Sequence, residues 1–319
     1  MSSAVLRAER YRGSPRVRHD LSSARTERCR RQSRRDSAVT PTSRTRIAAV
    51  IGSPVRHSLS PVIHNAAFAA HGDDWVYGAF EVQPEHAAAA IDAMRILGIA
   101  GLSVTMPHKE MVMAALDEVS PVAALVRAVN TVARRDDGRL VGHNVDGVGC
   151  VDALTRAGAD LSSVAVIGAG ATARAVVAAL AAHGASVHVA NRTPARRDDA
   201  VRIGNAARTG STSGVELSAV GECATIINTT PQGMRDVSPD TLPLDAAMLH
   251  GNQTVLDAVY HPLETALLRA ARARGCRVVD GLDMLCAQAA RQQELWLGRL
   301  PDVGLMRVAA LDELAKSQR

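Results

Sequence analysis

Lysine is almost missing from this chain of 319 residues, since 35 of its 37 basic side chains are arginine and only Lys109 and Lys316 are lysine. Aromatic residues make up 2% of the sequence, so the core must be built from alanine, valine, leucine and isoleucine. No apolar run approaches the ~20 residues that span a bilayer, and a membrane partner is not expected. Because arginine and lysine differ chemically, an interior lysine is a candidate for chemistry.

The cysteines are few and scattered. No two of them form a C-x-x-C pair, their number is odd, and the sequence lacks the apolar core of a secretory signal. We interpret them as reduced thiols in a cytoplasmic protein and expect no zinc site. They are Cys29, Cys150, Cys223, Cys276 and Cys286.

The positive charge is concentrated at one end. Residues 1–46 hold thirteen arginines and four acids, a net +9, so the total of +5 leaves −4 for residues 47–319. With no apolar periodicity, residues 1–45 are predicted to be a disordered Arg/Ser-rich extension. A start site assigned too far upstream, a solvated extension and an organellar transit peptide remain alternatives, although the acids count against the last. Nucleic acid is not an expected partner of the mildly acidic remainder.

Strands and helices alternate along the rest of the chain, which predicts an α/β protein of two domains. The first domain is expected at 46–147 with a parallel sheet, completed by C-terminal helices within 282–319 that return to it. The second is expected at 148–281. A Gly/Ser/Thr-rich exposed loop is predicted at 204–214. Strands are expected at 46–52, 77–82, 99–105, 164–167 and 186–190, and helices at 61–71, 84–97 and 171–183.

A glycine-rich turn lies between a predicted strand and a predicted helix in the second domain. It runs Gly168-Ala169-Gly170-Ala171-Thr172-Ala173 and matches the dinucleotide fingerprint G-x-G-x-x-G/A. Gly168 permits the tight turn, Gly170 lets the backbone approach a pyrophosphate, and Ala173 keeps helix and strand close. The helix N-terminus then offers N–H groups to the phosphates. Residues 148–281 are therefore predicted to be a Rossmann domain.

The end of the next strand indicates which cofactor binds. An NAD site commonly places a carboxylate there, whereas this chain has Asn191, Arg192 and Thr193. A guanidinium pairs with a 2′-phosphate, so the sequence predicts NADP. Arg192 is the candidate phosphate ligand, and Arg196 or Arg197 is a second candidate.

Polar motifs in the first domain suggest a substrate site. Ser58 and Ser60 stand at alternate positions before a predicted helix, where both hydroxyls can donate to a carboxylate; Ser60 is alternatively a cap of the helix starting at Pro61. Lys109 ends the run Val-Thr-Met-Pro-His-Lys. Asp146 stands in Asn-Val-Asp-Gly, where a helix N-cap is the alternative role.

Together these motifs resemble the shikimate dehydrogenase family. The family pattern has H-S-x-S-P, G-x-N-V-T-x-P-x-K, V-N-T and N-T-D-G elements. Its later elements N-x-T-P-x-G-M, D-x-x-Y-x-P-x-x-T and G-x-x-M-L-x-x-Q-A resemble the segments at 228–234, 257–265 and 281–289. The resemblance covers about 47–298. It departs at Ser103, where asparagine is usual, and at Val145, where threonine is usual; either change can alter packing or a supporting hydrogen bond.

The resemblance implies a reversible, NADP-dependent reduction of 3-dehydroshikimate to shikimate in the biosynthesis of chorismate and aromatic amino acids. It implies a catalytic pair, Lys109 and Asp146, and no metal. The implied substrate-binding residues are Ser58, Ser60, Thr105, Asn130, Gln288 and Tyr260. The implied cofactor-binding residues are Gly168, Ala169, Gly170, Ala171, Thr172, Ala173, Asn191, Arg192, Thr193, Thr229, Gly281 and Met284.

The proposed chemistry explains why a lysine is kept at position 109. Hydride transfer to a carbonyl carbon leaves negative charge on oxygen, and an ammonium can both stabilise that charge and supply the proton. A guanidinium, with a pKa above about 12, can hardly do the second. A paralogue acting on quinate or an amino analogue is the alternative enzyme, and a nucleotide-sensing module without turnover would predict a damaged pair. Monomer and homodimer are both open.

Overall fold

Two six-stranded sheets organise the computed structural model, which describes residues 40–317. This confirms the predicted two-domain α/β class. The disorder predicted for 1–45 falls mostly on residues 1–39, which lie outside the described residues. Within the described part, no helix is both long and apolar enough to cross a bilayer.

The first sheet has the strand order β2-β1-β3-β5-β6-β4. Its elements, with the helices between them, are β1 (Arg46–Gly52), α1 (Ser60–His71), β2 (Trp75–Glu81), α2 (Ala87–Leu97), β3 (Gly101–Val104), β4 (Glu118–Val119), α3 (Pro121–Val126), β5 (Thr131–Arg134) and β6 (Leu140–His143).

The parallel sheet predicted for the first domain is confirmed for β1, β2 and β3, but the sheet also contains antiparallel pairs. Strand β1 pairs in parallel with β2 and β3, but β5 runs antiparallel to both β3 and β6. Strands β5 and β6 are joined by a short turn in which Gly138 has φ 86°. A turn of that length can join only antiparallel neighbours, because a parallel pair needs a crossover of about a dozen residues.

The second sheet has the order β12-β11-β10-β7-β8-β9, with every neighbouring pair parallel. Counted from β7, this is the 3-2-1-4-5-6 order of a Rossmann sheet. The order in which successive strands are added reverses between β7 and β10, although the strands stay parallel. Its elements are α4 (Asp146–Arg156), β7 (Ser163–Ile167), α5 (Ala171–His183), β8 (Ser186–Ala190), α6 (Pro194–Ala207), β9 (Thr212–Gly214), β10 (Thr225–Asn228), β11 (Thr254–Asp257), α7 (Ala266–Ala273) and β12 (Arg277–Val279).

The prediction of an exposed loop at 204–214 is wrong. Helix α6 continues to Ala207, and Thr212 begins β9 with only 7% of its surface exposed. A Cβ at Gly204 would stand 2.2 Å from Thr212 Oγ1. That glycine therefore allows a close helix–strand contact rather than a flexible loop.

The last two helices return to the first sheet, as predicted. They are α8 (Gly281–Leu297) and α9 (Val303–Ser317). Leu282 and Met306 share a buried cluster with Ile63 of α1. Trp296 Nε1 donates to the Val132 carbonyl of β5 at 3.1 Å. After forming the second sheet, the chain thus returns and packs its last two helices against the first domain.

Candidate active site

Lys109 and Asp146 form a partly buried ion pair. Lys109 lies in the turn after β3 and Asp146 is the first residue of α4; their Nζ and Oδ2 atoms are 2.5 Å apart. The two side chains are 15% and 3% exposed. The N-cap position belongs to Val145, with no side-chain cap bond, so the capping alternative for Asp146 is wrong. The Asp146 carboxylate therefore does not cap α4 and contacts Lys109 instead.

Asn130 joins this carboxylate to helix α8. Its Nδ2 donates to Asp146 Oδ1 at 2.7 Å and to Gln288 Oε1 at 3.4 Å. Its Oδ1 accepts from the Val145 N–H at 2.9 Å and from Thr131 Oγ1 at 2.8 Å. A backbone N–H can only donate, so this contact fixes which way the amide faces. The amino group therefore points at the carboxylate.

The predicted hydroxyl pair lies at the start of α1. Ser60 is the first helical residue, and the N-cap position is Leu59, which has no side-chain cap bond, so the capping alternative for Ser60 is wrong. The Ser60 N–H donates to Ser58 Oγ at 3.3 Å. Thr105 follows β3, which neighbours β1 in parallel, and its Cγ2 would lie 2.4 Å from a Cβ at Gly52. These residues share the carboxyl edge of the first sheet with Lys109.

Tyr260 reaches the same region from the second sheet. It follows β11 and packs against the cluster that contains Leu59, which separates the two serines. Burial raises the pKa of its hydroxyl. Burial also lowers the pKa of the neighbouring His261, whose ring lies 5.9 Å from that of His57. Tyr260 therefore stays neutral as an apolar wall near the serines.

The glycine-rich turn follows β7, at the point where the strand order of the second sheet reverses. Gly168 has φ 116°, and a Cβ there would stand 2.5 Å from Thr229 Oγ1, which donates to the Ile167 carbonyl at 2.7 Å. Gly170 precedes α5, and nothing lies within 4 Å of where its Cβ would be. Ala173 is fully buried. The open space at Gly170 fits a pyrophosphate approaching the backbone.

Thr172 connects this turn to the ion pair. Its Oγ1 lies 3.4 Å from Lys109 Nζ and 3.4 Å from Asp146 Oδ2. The structure thus brings the predicted catalytic pair and the predicted cofactor turn into contact.

A buried carboxylate supports the segment that carries Thr229. Asp257 Oδ1 accepts from Asn228 Nδ2 at 2.9 Å, and Oδ2 accepts from Thr265 Oγ1 at 2.7 Å. Burial raises the pKa of Asp257 to about 6, although these hydrogen bonds oppose the shift. Asn228 Oδ1 in turn accepts from the Thr230 N–H at 3.0 Å. The loop beside Gly168 is therefore held by a polar cluster inside the sheet.

Arg192 is exposed at the end of β8 and pairs with no carboxylate among residues 40–317. Asn191 Nδ2 donates to the Thr193 carbonyl at 3.0 Å and shapes this loop. Arg197 instead donates to Asp198 and Glu216 at 3.1 and 3.0 Å, and the hydrogen bond to Asp198 raises its pKa most. Of the two second candidates, only Arg196 is left without an acidic partner.

Gly281 and Met284 begin α8 beside this sheet. A Cβ at Gly281 would stand 2.5 Å from the Val259 carbonyl, so the helix start is pressed against the loop after β11. Met284 is buried with Leu256 of β11. Among the described residues, no three His, Cys, Asp or Glu side chains gather as metal ligands would.

A buried polar network beside Asn130 was not predicted from the sequence. It contains His64, Tyr77, Ser103, Thr131 and Gln292, which hydrogen-bond to one another. A signal was available for Gln292, because it follows Gln288 by one helical turn and must share its face of α8.

An ion pair between α5 and the loop after β3 was also not predicted from the sequence. Arg174 on α5, buried at 9% exposure, donates to Glu110 Oε1 at 2.6 Å and to the Val126 carbonyl at 2.9 Å. Glu110 follows Lys109 directly. The pair therefore ties the helix after the glycine-rich turn to the loop that carries the ammonium.

Three family models match the chain. Residues 50–132 match the shikimate dehydrogenase substrate binding domain, residues 153–224 match shikimate / quinate 5-dehydrogenase, and residues 281–311 match the shikimate 5′-dehydrogenase C-terminal domain.

Curated relatives and solved structures agree with these matches. The chain is 43% identical over 279 residues to the shikimate dehydrogenase (NADP(+)) of Moorella thermoacetica, which covers 82% of this chain and 91% of the relative. It is similar to the Thermus thermophilus shikimate 5-dehydrogenase solved with NADP(H) and shikimate, at TM-score 0.78, 37% identity, and 84% and 99% coverage. It is also similar to the Corynebacterium glutamicum quinate dehydrogenase solved with NAD, at TM-score 0.76, 33% identity, and 84% and 99% coverage. The chain belongs to the shikimate dehydrogenase family.

Proposed function

We propose that this protein catalyses the reversible, NADP-dependent reduction of 3-dehydroshikimate to shikimate, within chorismate and aromatic amino acid biosynthesis. The 2.5 Å contact between Lys109 and Asp146, beside Thr172 of the glycine-rich turn, carries the proposal. In this proposal Lys109 is the proton donor, and the nicotinamide of the cofactor binds beside it. Relatives named shikimate dehydrogenase (NADP(+)) support the same substrate and cofactor.

The residues around the turn fit a dinucleotide with a 2′-phosphate. Gly170 leaves room for the pyrophosphate and α5 offers its N-terminal N–H groups. The unpaired Arg192 would hold the 2′-phosphate, where a carboxylate would repel it. When bound, NADP supplies or accepts the hydride. The residues proposed to hold it are those from Gly168 to Ala173 with Asn191, Arg192, Thr193, Thr229, Gly281 and Met284.

In the proposed mechanism, Lys109 donates a proton to the substrate in reduction and accepts one in oxidation. In reduction, its ammonium donates a proton to the carbonyl oxygen as that oxygen gains negative charge, so the incoming hydride and the proton together complete the alcohol. In oxidation, the neutral amine takes the hydroxyl proton. Asp146 stays a carboxylate, holds the Nζ atom in place and accepts from Asn130 throughout.

We propose that the carboxyl edge of the first sheet binds the substrate. The Ser58 and Ser60 hydroxyls would donate to its carboxylate. Thr105, Asn130 and Gln288 would hold the ring hydroxyls, and Tyr260 would form a wall. Ser58 Oγ accepts from the Ser60 N–H, so the hydrogen of the Ser58 hydroxyl remains available to donate to a carboxylate, which supports this role.

The protein's setting is also a proposal. The four cysteines at 150, 223, 276 and 286 are buried and unpaired, which supports a reducing, cytoplasmic compartment. The −4 charge of residues 47–319 supports a small-molecule substrate rather than nucleic acid as the partner. We further propose domain boundaries at 46–147, completed by 282–319, and 148–281, in a monomer or homodimer.

A spectrophotometric assay tests the function. Shikimate and quinate are offered separately, each with NADP and with NAD, and formation of the reduced cofactor is followed by its absorbance. We expect kcat/KM to be highest for shikimate with NADP. Faster turnover of quinate, or a preference for NAD, would favour the quinate paralogue, and no turnover in any combination would contradict the proposal.

A further inference from the structure

The amide of Gln292 lies between two strands of the first sheet. Gln292 is 4% exposed on α8. Its Oε1 accepts from Ser103 Oγ on β3 at 2.9 Å, and its Nε2 lies 3.1 Å from Thr131 Oγ1 on β5 and 3.3 Å from the Asn130 carbonyl. One helix side chain thus bridges two strands next to the residue that holds Asp146.

The orientation of this amide is fixed. The Asn130 carbonyl can only accept a hydrogen bond, so the amino group of Gln292 must face it and the oxygen must face Ser103 and His64. His64 Nε2 then carries a proton toward Gln292 at 3.2 Å, and its Nδ1 accepts from Gln293 at 3.1 Å. Burial lowers the pKa of His64 to about 3, which keeps the ring neutral as this pattern requires.

The direction of donation continues to the catalytic pair. Gln292 Nε2 donates to Thr131 Oγ1, so the Thr131 hydroxyl is left to donate onward to Asn130 Oδ1 at 2.8 Å. The Val145 N–H is the second donor to that oxygen. Two donors hold the plane of the Asn130 amide, and its amino group then meets Asp146 Oδ1 at 2.7 Å. With one donor alone, the amide could tilt away from the carboxylate.

The Gln292 amide fills a space between Ser103 and Thr131 that a longer side chain at position 103 could reach. Ser103 and Thr131 are opposite each other in the antiparallel pair of β3 and β5. Cross-strand neighbours have Cβ atoms about 5 Å apart, so an asparagine at 103 could span the gap itself. Asparagine is the usual family residue there, and here the serine spans the gap only through Gln292.

We propose that Gln292 is a positioning residue that, through Thr131, orients Asn130 toward Asp146. The inference rests on the proposed function, because its readout is turnover of shikimate. Gln292 itself acts only through Thr131 and Asn130.

The matched control is the neighbouring residue on the same helix. Gln293 is also a buried glutamine, at 0% exposure, but it contacts His64 and neither Thr131 nor Asn130. We expect Gln292→Leu to lower kcat roughly ten- to a hundredfold, because a small displacement of a positioned group has that effect. The KM for NADP should stay within about twofold, since the cofactor turn is untouched. Gln293→Leu should keep most of kcat.

A double variant separates positioning from loss of packing. In Gln292→Ala, the added change Ser103→Asn should restore kcat, because the new amide can accept from Tyr77, which now donates to Ser103 at 2.7 Å, and can donate to Thr131. Ser103→Asn in the wild type should not raise kcat, since Gln292 already fills the space.

Gln292→Glu adds a readout that packing would not move. An ionised glutamate accepts from Thr131 and turns its hydroxyl away from Asn130, while the protonated acid can donate as the amide does. Its kcat should therefore recover relative to wild type as the pH falls. Thermal unfolding of each variant shows that it is folded.

The results separate the two proposals. A wild-type protein that turns over neither shikimate nor quinate would overturn the proposed function. An active wild type, with folded Gln292→Leu and Gln293→Leu variants equal in kcat and no recovery in the double variant, would overturn the positioning role alone. Should Gln292→Leu not fold, the double variant and the pH profile of Gln292→Glu decide.

Discussion

The proposed contact with the 2′-phosphate of NADP is assigned first to one exposed side chain, Arg192. Replacing it by aspartate puts a negative charge where a 2′-phosphate would bind and where an NAD ribose could still be accepted. We expect Arg192→Asp to raise the KM for NADP at least about tenfold, the loss of a charge-assisted contact, and to change the KM for NAD little.

A second arginine provides the control for this change of charge. Arg274 is exposed at the end of α7, before β12, at the opposite edge of the sheet. Arg274→Asp should leave both KM values unchanged. If Arg192→Asp weakens NADP and NAD equally, the assignment of the 2′-phosphate is wrong.

Residue roles at helix starts were open from the sequence for a definite reason. Asp146 and Ser60 both suit an N-cap, and a shift of one residue decides whether such a side chain caps a helix or serves a site. The structure places the N-caps at Val145 and Leu59, so neither Asp146 nor Ser60 is the N-cap residue of its helix. Sequence spacing alone cannot resolve that single step.

At the level of elements, the turn between β7 and α5 makes opposite demands on its two glycines. Gly168 has φ 116° and no room for a Cβ, whereas Gly170 has φ −79° and open space. We expect Gly168→Ala to lower the free energy of unfolding by more than about 1 kcal/mol. Gly170→Ala should keep stability yet weaken NADP binding, since its methyl group would enter the pyrophosphate site.

Urea unfolding and NADP titration of the two variants check this contrast. Equal stability of both variants would contradict the strain assigned to Gly168. Unchanged NADP affinity in Gly170→Ala would contradict the assigned pyrophosphate position.

Some helices and strands could be predicted from the sequence better than others, depending on the apolar pattern around them. Helix α5 and strand β8 match the predicted 171–183 and 186–190, and Gly184 lies between these two apolar runs. Strands β4, β5 and β6 were not predicted, because none of them lies in a longer apolar run such as the one that contains β3. The Asp137-Gly138 pair was an available hairpin signal for β5 and β6.

At the scale of the whole molecule, the site exists only because the chain closes on itself. Lys109 comes from the first sheet, Thr172 from the turn of the second, and Gln288 and Gln292 from the helix that returns. The order of motifs could be predicted from the sequence, and so could the returning helices. The contact of Lys109 with Thr172, the Arg174–Glu110 pair and the network of Gln292 could not, because they join residues far apart in the chain.

The catalytic role proposed for Lys109 can be tested by comparing the two lysines of the chain. Lys109 is paired with Asp146 in the site, whereas Lys316 is exposed near the end of α9 and pairs with Glu313 at 3.1 Å. With shikimate and NADP, Lys109→Ala should lower kcat by about a hundred- to ten-thousandfold, the usual contribution of a general acid or base. Its Kd for NADP should stay near the wild-type value, and Lys316→Ala should match the wild type in both. Near-normal turnover in a folded Lys109→Ala variant would contradict the account.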